Sequence, residues 1–99
     1  SLHPALLGLV ARSVEAAERA GIELSVCGEM AGDATAALAL VGLGITRLSM
    51  AAGSLPEVRR AIRGSDLAEL RTVAGESLRA PSAVAVRARF EALRARALA

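Results

Sequence analysis

The feature that most constrains this chain is a strand–loop–helix–strand pattern in its first half. From Ile22 to Cys27, apolar and polar residues alternate as they do in a half-buried strand. A glycine-punctuated loop, Gly28–Asp33, leads to a helix from Ala34 to about Val41, for which Asp33 is a suitable N-cap. A second strand is predicted over Ile45–Met50. This order predicts a βαβ unit, in which parallel strands are joined by a right-handed crossover.

Two parallel strands are too few for a complete domain, because both edges of such a sheet are left unpaired. Parallel sheets have several strands covered on both faces, and a closed barrel removes the edges altogether. A (β/α)₈ barrel needs roughly 250 residues, whereas this chain has 99. We therefore expect residues 1–99 not to be a complete domain, and expect upstream residues or further copies of the chain to supply the other strands.

Further helices are predicted on both sides of this unit. Pro4–Ala20 carries an apolar stripe, with proline in its first turn and Gly21 as its stop. Ser54 and Glu57 have the spacing of a capping box at the start of another helix. This helix is predicted to end at Arg63–Gly64. The next helix is predicted to begin at Ser65 or Asp66, and the last one at Pro81–Ser82.

Composition and charge exclude several classes of function. Hydrophobic residues make up 54% of the chain, which is enough for a packed core. The net charge is only +2, and the basic residues, all arginines, are interleaved with acids, so we expect no nucleic-acid partner. The longest apolar run, Ala34–Leu43, is shorter than the ~20 residues of a membrane span. Because Cys27 is the only cysteine and no signal peptide is recognisable, we expect a cytoplasmic protein without membrane insertion.

Cys27 is the strongest candidate for a chemical role. It ends the first predicted strand, and reactive groups of parallel α/β folds cluster at the carboxyl ends of strands. Glu23, Ser25 and Cys27 would share one face and point into a barrel interior, while the apolar residues between them pack on helices. Gly28 would let a ligand approach the backbone, and Glu29 follows directly.

Other interpretations of these residues remain open. Cys27 could be a small buried hydrophobe, as free cysteines usually are. A metal site is less favoured, since no second cysteine or nearby histidine has ligand spacing. Glu29 could orient the loop or be a structural acid, and Arg47 could point into the barrel or form a salt bridge at the sheet edge.

One stretch of the chain resembles a known signature. Val26–Asp33 is similar to the C-G-E-M/L-A-G-D motif of enzyme I of the phosphoenolpyruvate:sugar phosphotransferase system. His3–Ala5 resembles the H-P-A that precedes the first helix in that family. Gly42–Gly44 resembles its G-x-G, Leu48–Met50 its L/F-S-M strand, and Ser54–Arg60 its following helix. The similarity covers essentially the whole chain, although Ala51 stands where the family often has a serine.

The resemblance implies an α/β fold in which residues 1–99 are the C-terminal portion of a (β/α)₈ TIM barrel, namely its last two parallel strands and C-terminal helices. The implied parent is a phosphoenolpyruvate-protein phosphotransferase, a transferase that moves the phosphoryl group of phosphoenolpyruvate to an enzyme histidine. Cys27 would protonate the pyruvate enolate, and Gly28 and Glu29 would be weaker substrate-binding candidates. His3 lies outside any phosphohistidine motif and is interpreted as structural.

The same resemblance places the other functional parts outside this chain. The Mg²⁺ ligands would lie upstream, so no metal ligand is expected within residues 1–99. A histidine-containing phosphocarrier protein would be the partner of an N-terminal region, the chain alone would be inactive, and a homo-oligomer is expected. Two alternatives remain: a fragment of a pyruvate phosphate dikinase or phosphoenolpyruvate synthase, which shares the Cys-Gly-Glu motif, or a non-catalytic module that self-associates through its strand edges.

Overall fold

A computed structural model describes residues 2–99 of the chain. Six helices, two strands and a 3₁₀ turn make up this part. In chain order they are α1 (Pro4–Ala20), β1 (Ser25–Cys27), α2 (Glu29–Gly32), α3 (Ala34–Gly42), β2 (Arg47–Ser49), the 3₁₀ turn (Ala52–Ser54), α4 (Leu55–Arg63), α5 (Leu67–Ser77) and α6 (Ala83–Leu98). None of these helices is both long enough and apolar enough to cross a membrane.

The predicted βαβ unit is confirmed. β1 and β2 are parallel, and Cys27 lies opposite Ser49 in the register. Each strand has three residues instead of the predicted six, because only the segments that face each other form ladder hydrogen bonds. Ile22, at the start of the predicted first strand, has no such partner and is 66% exposed.

Helix α3 is the centre of the molecule. Its residues 34–40 are all buried, because α5 and α6 pack along the helix, α2 and α4 also contact it, and Leu40 packs against Val26 and Leu48 of the sheet. A helix that is apolar all round is suited to this position. Gly42 allows the closest approach to α5: a Cβ there would lie 2.4 Å from the carbonyl oxygen of Leu70. The main core also includes Val58 of α4 and Phe90 of α6.

Most of the predicted helix starts are confirmed by side-chain caps. The Nδ1 atom of His3 accepts a hydrogen bond from the Ala5 amide at 3.0 Å, which supports its structural interpretation. Asp66 caps α5 and Ser82 caps α6. Both fit the preference for short polar side chains at N-caps.

Two local predictions are wrong. The capping box at Ser54 and Glu57 does not form, because Ser54 ends a 3₁₀ turn in a helical conformation and its side chain makes no cap hydrogen bond. Glu57 instead accepts hydrogen bonds from Arg94 of α6. The segment Gly28–Asp33 is also not a plain loop, since it contains the single turn of helix α2.

Candidate functional site

One face of the two-stranded sheet is polar and open. Ser25 and Cys27 of β1 are exposed, while Val26 between them is half-buried against the core. In β2, Ser49 is likewise exposed on the face that carries Cys27. The predicted alternation is therefore confirmed, and the interpretation of Cys27 as a buried hydrophobe is wrong for this structure.

Arg47 joins this polar face at the start of β2. Its Nε atom lies 3.3 Å from a carboxylate oxygen of Glu23, and both side chains are largely exposed. An ion pair in this setting contributes little to stability. Of the two interpretations left open for Arg47, the salt bridge is the one that the structure contains.

The carboxyl ends of both strands meet at a shallow depression of about 420 Å³. Gly28 and Glu29 line it from the β1 side, and Ala51 and Ser54 from the β2 side. Cys27 is not part of its lining. The structure therefore brings two of the three predicted site residues into one depression and places the thiol next to them, on the adjoining sheet face.

Gly28 makes the turn from β1 into this depression. Its φ of 99° lies in a region that residues with a Cβ rarely adopt, so glycine is required for the backbone conformation. Its amide donates a hydrogen bond to the Ser49 carbonyl oxygen at 3.2 Å, which continues the pairing one residue beyond β1. Nearby, a Cβ on Gly32 would come within 3.1 Å of the Ser54 Oγ atom, so the loops after the two strands are in contact.

Asp33 ends the signature segment and begins helix α3, as predicted. Its Oδ1 atom accepts hydrogen bonds from the amides of Thr35 at 3.0 Å and Ala36 at 3.4 Å. Its other oxygen accepts a hydrogen bond from the Arg87 guanidinium at 3.0 Å. Partial burial alone would raise the pKa of Asp33, but the Arg87 hydrogen bond and the two amides outweigh it and hold the pKa below its ordinary value.

Arg87 and Arg94 of α6 are functional candidates that the sequence analysis missed. Arg87 also contacts Glu91 at 3.3 Å on its own helix. Arg94 donates from Nε to Glu57 at 3.1 Å, and that hydrogen bond raises the pKa of Arg94. No local signal could have identified these partners, since Arg87 is 54 residues from Asp33 along the chain.

Within residues 2–99, no group of three or more histidine, cysteine, aspartate or glutamate side chains is placed to hold a metal ion. A larger groove of about 670 Å³ lies on the helix side of β2, beside Leu48, Met50 and Ile62. None of the predicted site residues lines it, so it is separate from the depression at the strand ends.

A parallel βαβ unit with an exposed thiol and a glycine turn at the strand ends is an α/β arrangement suited to ligand binding at that edge. Comparison with known protein families agrees with a ligand-binding α/β protein. Residues 1–67 match the family model described as "PEP-utilising enzyme, PEP-binding domain". The chain belongs to this family, and the resemblance seen in the signature segment is confirmed.

Individual relatives cover most of the chain. It is 46% identical over 91 residues to the phosphoenolpyruvate-protein phosphotransferase of Streptomyces coelicolor, covering 92% of this chain and 16% of the relative. It is 41% identical over 87 residues to a protein of Salmonella typhimurium named phosphoenolpyruvate-dependent phosphotransferase system, covering 88% of this chain and 12% of the relative. It is 34% identical over 85 residues to the phosphoenolpyruvate-protein phosphotransferase of Haemophilus influenzae, covering 86% of this chain and 15% of the relative. The chain therefore spans only a small part of each relative.

Proposed function

We propose that residues 1–99 are the C-terminal portion of a phosphoenolpyruvate-binding (β/α)₈ barrel in a phosphoenolpyruvate-protein phosphotransferase. The names of the relatives and the family match support the enzyme class. The polar, uncovered face of the β1–β2 sheet supports the barrel, because in a barrel that face would line the interior. The unpaired edges of β1 and β2 would then be completed by neighbouring strands.

In this proposal Cys27 is the proton donor to the enolate of pyruvate. The P–O bond of phosphoenolpyruvate breaks as the phosphoryl group passes to an enzyme histidine, and the electron pair stays on the enolate oxygen. The terminal carbon of the enolate then takes the proton of the Cys27 S–H group and becomes the methyl group of pyruvate. The exposed thiolate recovers its proton from water.

The observation that carries this assignment is the position of the thiol. Cys27 is exposed at the carboxyl end of a parallel strand, next to the depression formed by Gly28 and Glu29. Gly28 would leave room for the substrate beside the backbone, and Glu29 would contact it from the start of α2. General acid catalysis of this type accelerates a reaction about 10²–10⁴-fold, or roughly 3–5 kcal/mol of barrier.

Within residues 2–99, no group of three or more histidine, cysteine, aspartate or glutamate side chains could hold a metal ion. In this proposal the Mg²⁺ ligands, the phosphorylated histidine and the surface for a histidine-containing phosphocarrier protein lie in other parts of the enzyme. The contribution of this chain is limited to substrate contact and to the proton.

The test is the Cys27→Ala variant of the whole phosphotransferase. We expect its steady-state turnover to fall at least about a hundredfold while phosphoenolpyruvate still binds, because general acid catalysis supplies about that factor. Ser25→Ala is the matched control, since Ser25 lies on the same exposed face of the same strand. A Cys27→Ala variant with nearly normal turnover would eliminate the acid role.

Self-association is a second function that the structure favours through one observation. β1 and β2 each leave one edge without a strand partner among residues 2–99. Such edges template pairing with other chains. Light scattering of the 99-residue chain at several concentrations should show a mass that rises with concentration, whereas a monomer throughout that range would contradict self-association.

A further inference from the structure

Helix α6 makes ion pairs with the segments that follow both strands. Arg87 donates to Asp33 at the end of the signature segment, and Arg94 donates to Glu57 in the first turn of α4. α6 lies outside residues 1–67, the part matched by the family model. The carboxyl end of the sheet is thus tied at two points to a helix that is distant in the sequence.

We propose that Arg87 is a positioning residue for Cys27, acting through Asp33 on the segment Gly28–Asp33. This inference rests on the proposed proton-donor role of Cys27. Arg87 itself does not line the depression and is not proposed to touch the substrate.

The connection from Arg87 to the residue next to Cys27 runs through hydrogen bonds and through the backbone of the segment Gly28–Asp33. The Arg87 guanidinium holds one oxygen of Asp33, whose other oxygen caps α3. The Asp33 amide donates to the Met30 carbonyl oxygen at 3.4 Å, and the Gly32 amide donates to the Gly28 carbonyl oxygen at 3.3 Å. The single turn of α2 is therefore bounded on one side by Asp33 and on the other by the residue next to Cys27.

A helix of four residues cannot hold this geometry by itself, because short helices are marginal without tertiary contacts. The Asp33 carboxylate accepts one charge-assisted hydrogen bond from Arg87 and two hydrogen bonds from backbone amides. Together these hydrogen bonds fix the direction in which the chain leaves the depression. Losing Arg87 would leave the groups that form the cap in place but would remove the tie to α6 that stabilises the capped segment.

Arg87 is suited to this task because its guanidinium binds two carboxylates at once. One terminal nitrogen contacts Asp33, and Nε contacts Glu91, which orients the side chain from its own helix. A lysine ammonium can replace the charge but not the planar fork. Arg87→Lys should therefore restore only part of what Arg87→Gln loses.

Arg89 provides a matched control. It lies on the same helix, and its guanidinium pairs with Glu76 of α5 at 2.8 Å. Its side chain is 47% exposed, against 43% for Arg87, so the two arginines have similar access to solvent. Arg89→Gln removes one arginine ion pair of α6 without touching the segment after β1.

The first measurement is hydrogen exchange in the whole phosphotransferase. We expect Arg87→Gln to speed exchange at the amides of residues 32–36 about two- to fivefold, the range that a partly exposed ion pair supplies. Arg89→Gln should leave these amides unchanged. Asp33→Asn should match Arg87→Gln, and the double variant should add little to either, because both remove the same contact. Equal exchange in the Arg87 and Arg89 variants would overturn the proposal.

The second measurement is turnover in the same variants. Arg87→Gln should lower kcat about two- to fivefold with KM little changed, because the proton donor is misplaced while the substrate contacts made elsewhere remain. Unchanged kcat despite faster exchange would also overturn the positioning role. If instead Cys27→Ala kept normal turnover, the proposed function would fail, and the exchange data alone would decide whether Arg87 anchors this segment.

Discussion

Replacing Gly42 by alanine tests the packing at the centre of the fold. A Cβ at this position would lie 2.4 Å from the Leu70 carbonyl oxygen, 2.9 Å from its carbonyl carbon and 3.0 Å from the Ala74 Cβ atom. Two of these atoms belong to the backbone of α5, so no side-chain rotation can relieve the contact. The substitution must push α3 and α5 apart.

The magnitude follows from two opposing effects. Overpacking a core costs about 1–3 kcal/mol or more, whereas replacing a helical glycine by alanine returns at most about 1 kcal/mol. We expect a net loss of about 1–2 kcal/mol in the free energy of unfolding, which lowers Tm by about 4–16 °C for a chain of this size. Urea unfolding, monitored by circular dichroism, measures this loss in the free energy of unfolding.

Gly75→Ala is the control for this prediction. Gly75 is also helical, but nothing lies within 4 Å of the position of its Cβ atom. The free energy of unfolding of this variant should rise by about 0.5–1 kcal/mol through helix propensity alone. If Gly42→Ala were as stable as Gly75→Ala, the close contact between α3 and α5 would be refuted.

Two further predictions concern the segment after β1. Because the pKa of Asp33 is lowered in the folded state, its stabilising contribution is present above its ordinary pKa and is lost as the pH falls through the folded value. Between about pH 5 and pH 3, the free energy of unfolding should therefore fall more for wild type than for Asp33→Asn. Denaturant unfolding of both proteins at each pH measures it, and equal falls in the two proteins would contradict the ion pair. Gly28→Ala should destabilise the chain by about 1–3 kcal/mol through its backbone conformation alone (φ 99°, ψ −159°), since no atom lies within 4 Å of the added Cβ. An unfolding midpoint equal to wild type would show that this turn can adopt another conformation.

The features that could be predicted from the sequence depend on neighbouring residues. The alternation around Cys27 fixes which face of β1 is polar, and Asp33 caps α3 because an N-cap needs only the next three residues. Both patterns are complete within a few positions, so a local interpretation was sufficient for them.

The features that could not be predicted depend on distant partners. Glu57 has the spacing of a capping box with Ser54, but it pairs with Arg94, which is 37 residues away. The tie between Asp33 and Arg87 is likewise absent from any local pattern. Strand length was overestimated for the same reason, because a residue joins a strand only where a partner faces it.

The proposed proton transfer from Cys27 is tested most directly by the stereochemistry of the pyruvate that the whole enzyme forms. Phosphoenolpyruvate that carries deuterium and tritium in defined positions on its terminal carbon, turned over in ordinary water, gives a chiral methyl group if protonation occurs on one face. A thiol fixed at the end of β1 predicts a single configuration for wild type and a racemic methyl group, formed slowly, for Cys27→Ala. A Cys27→Ala enzyme that keeps both its rate and a single configuration would show that the proton comes from another group.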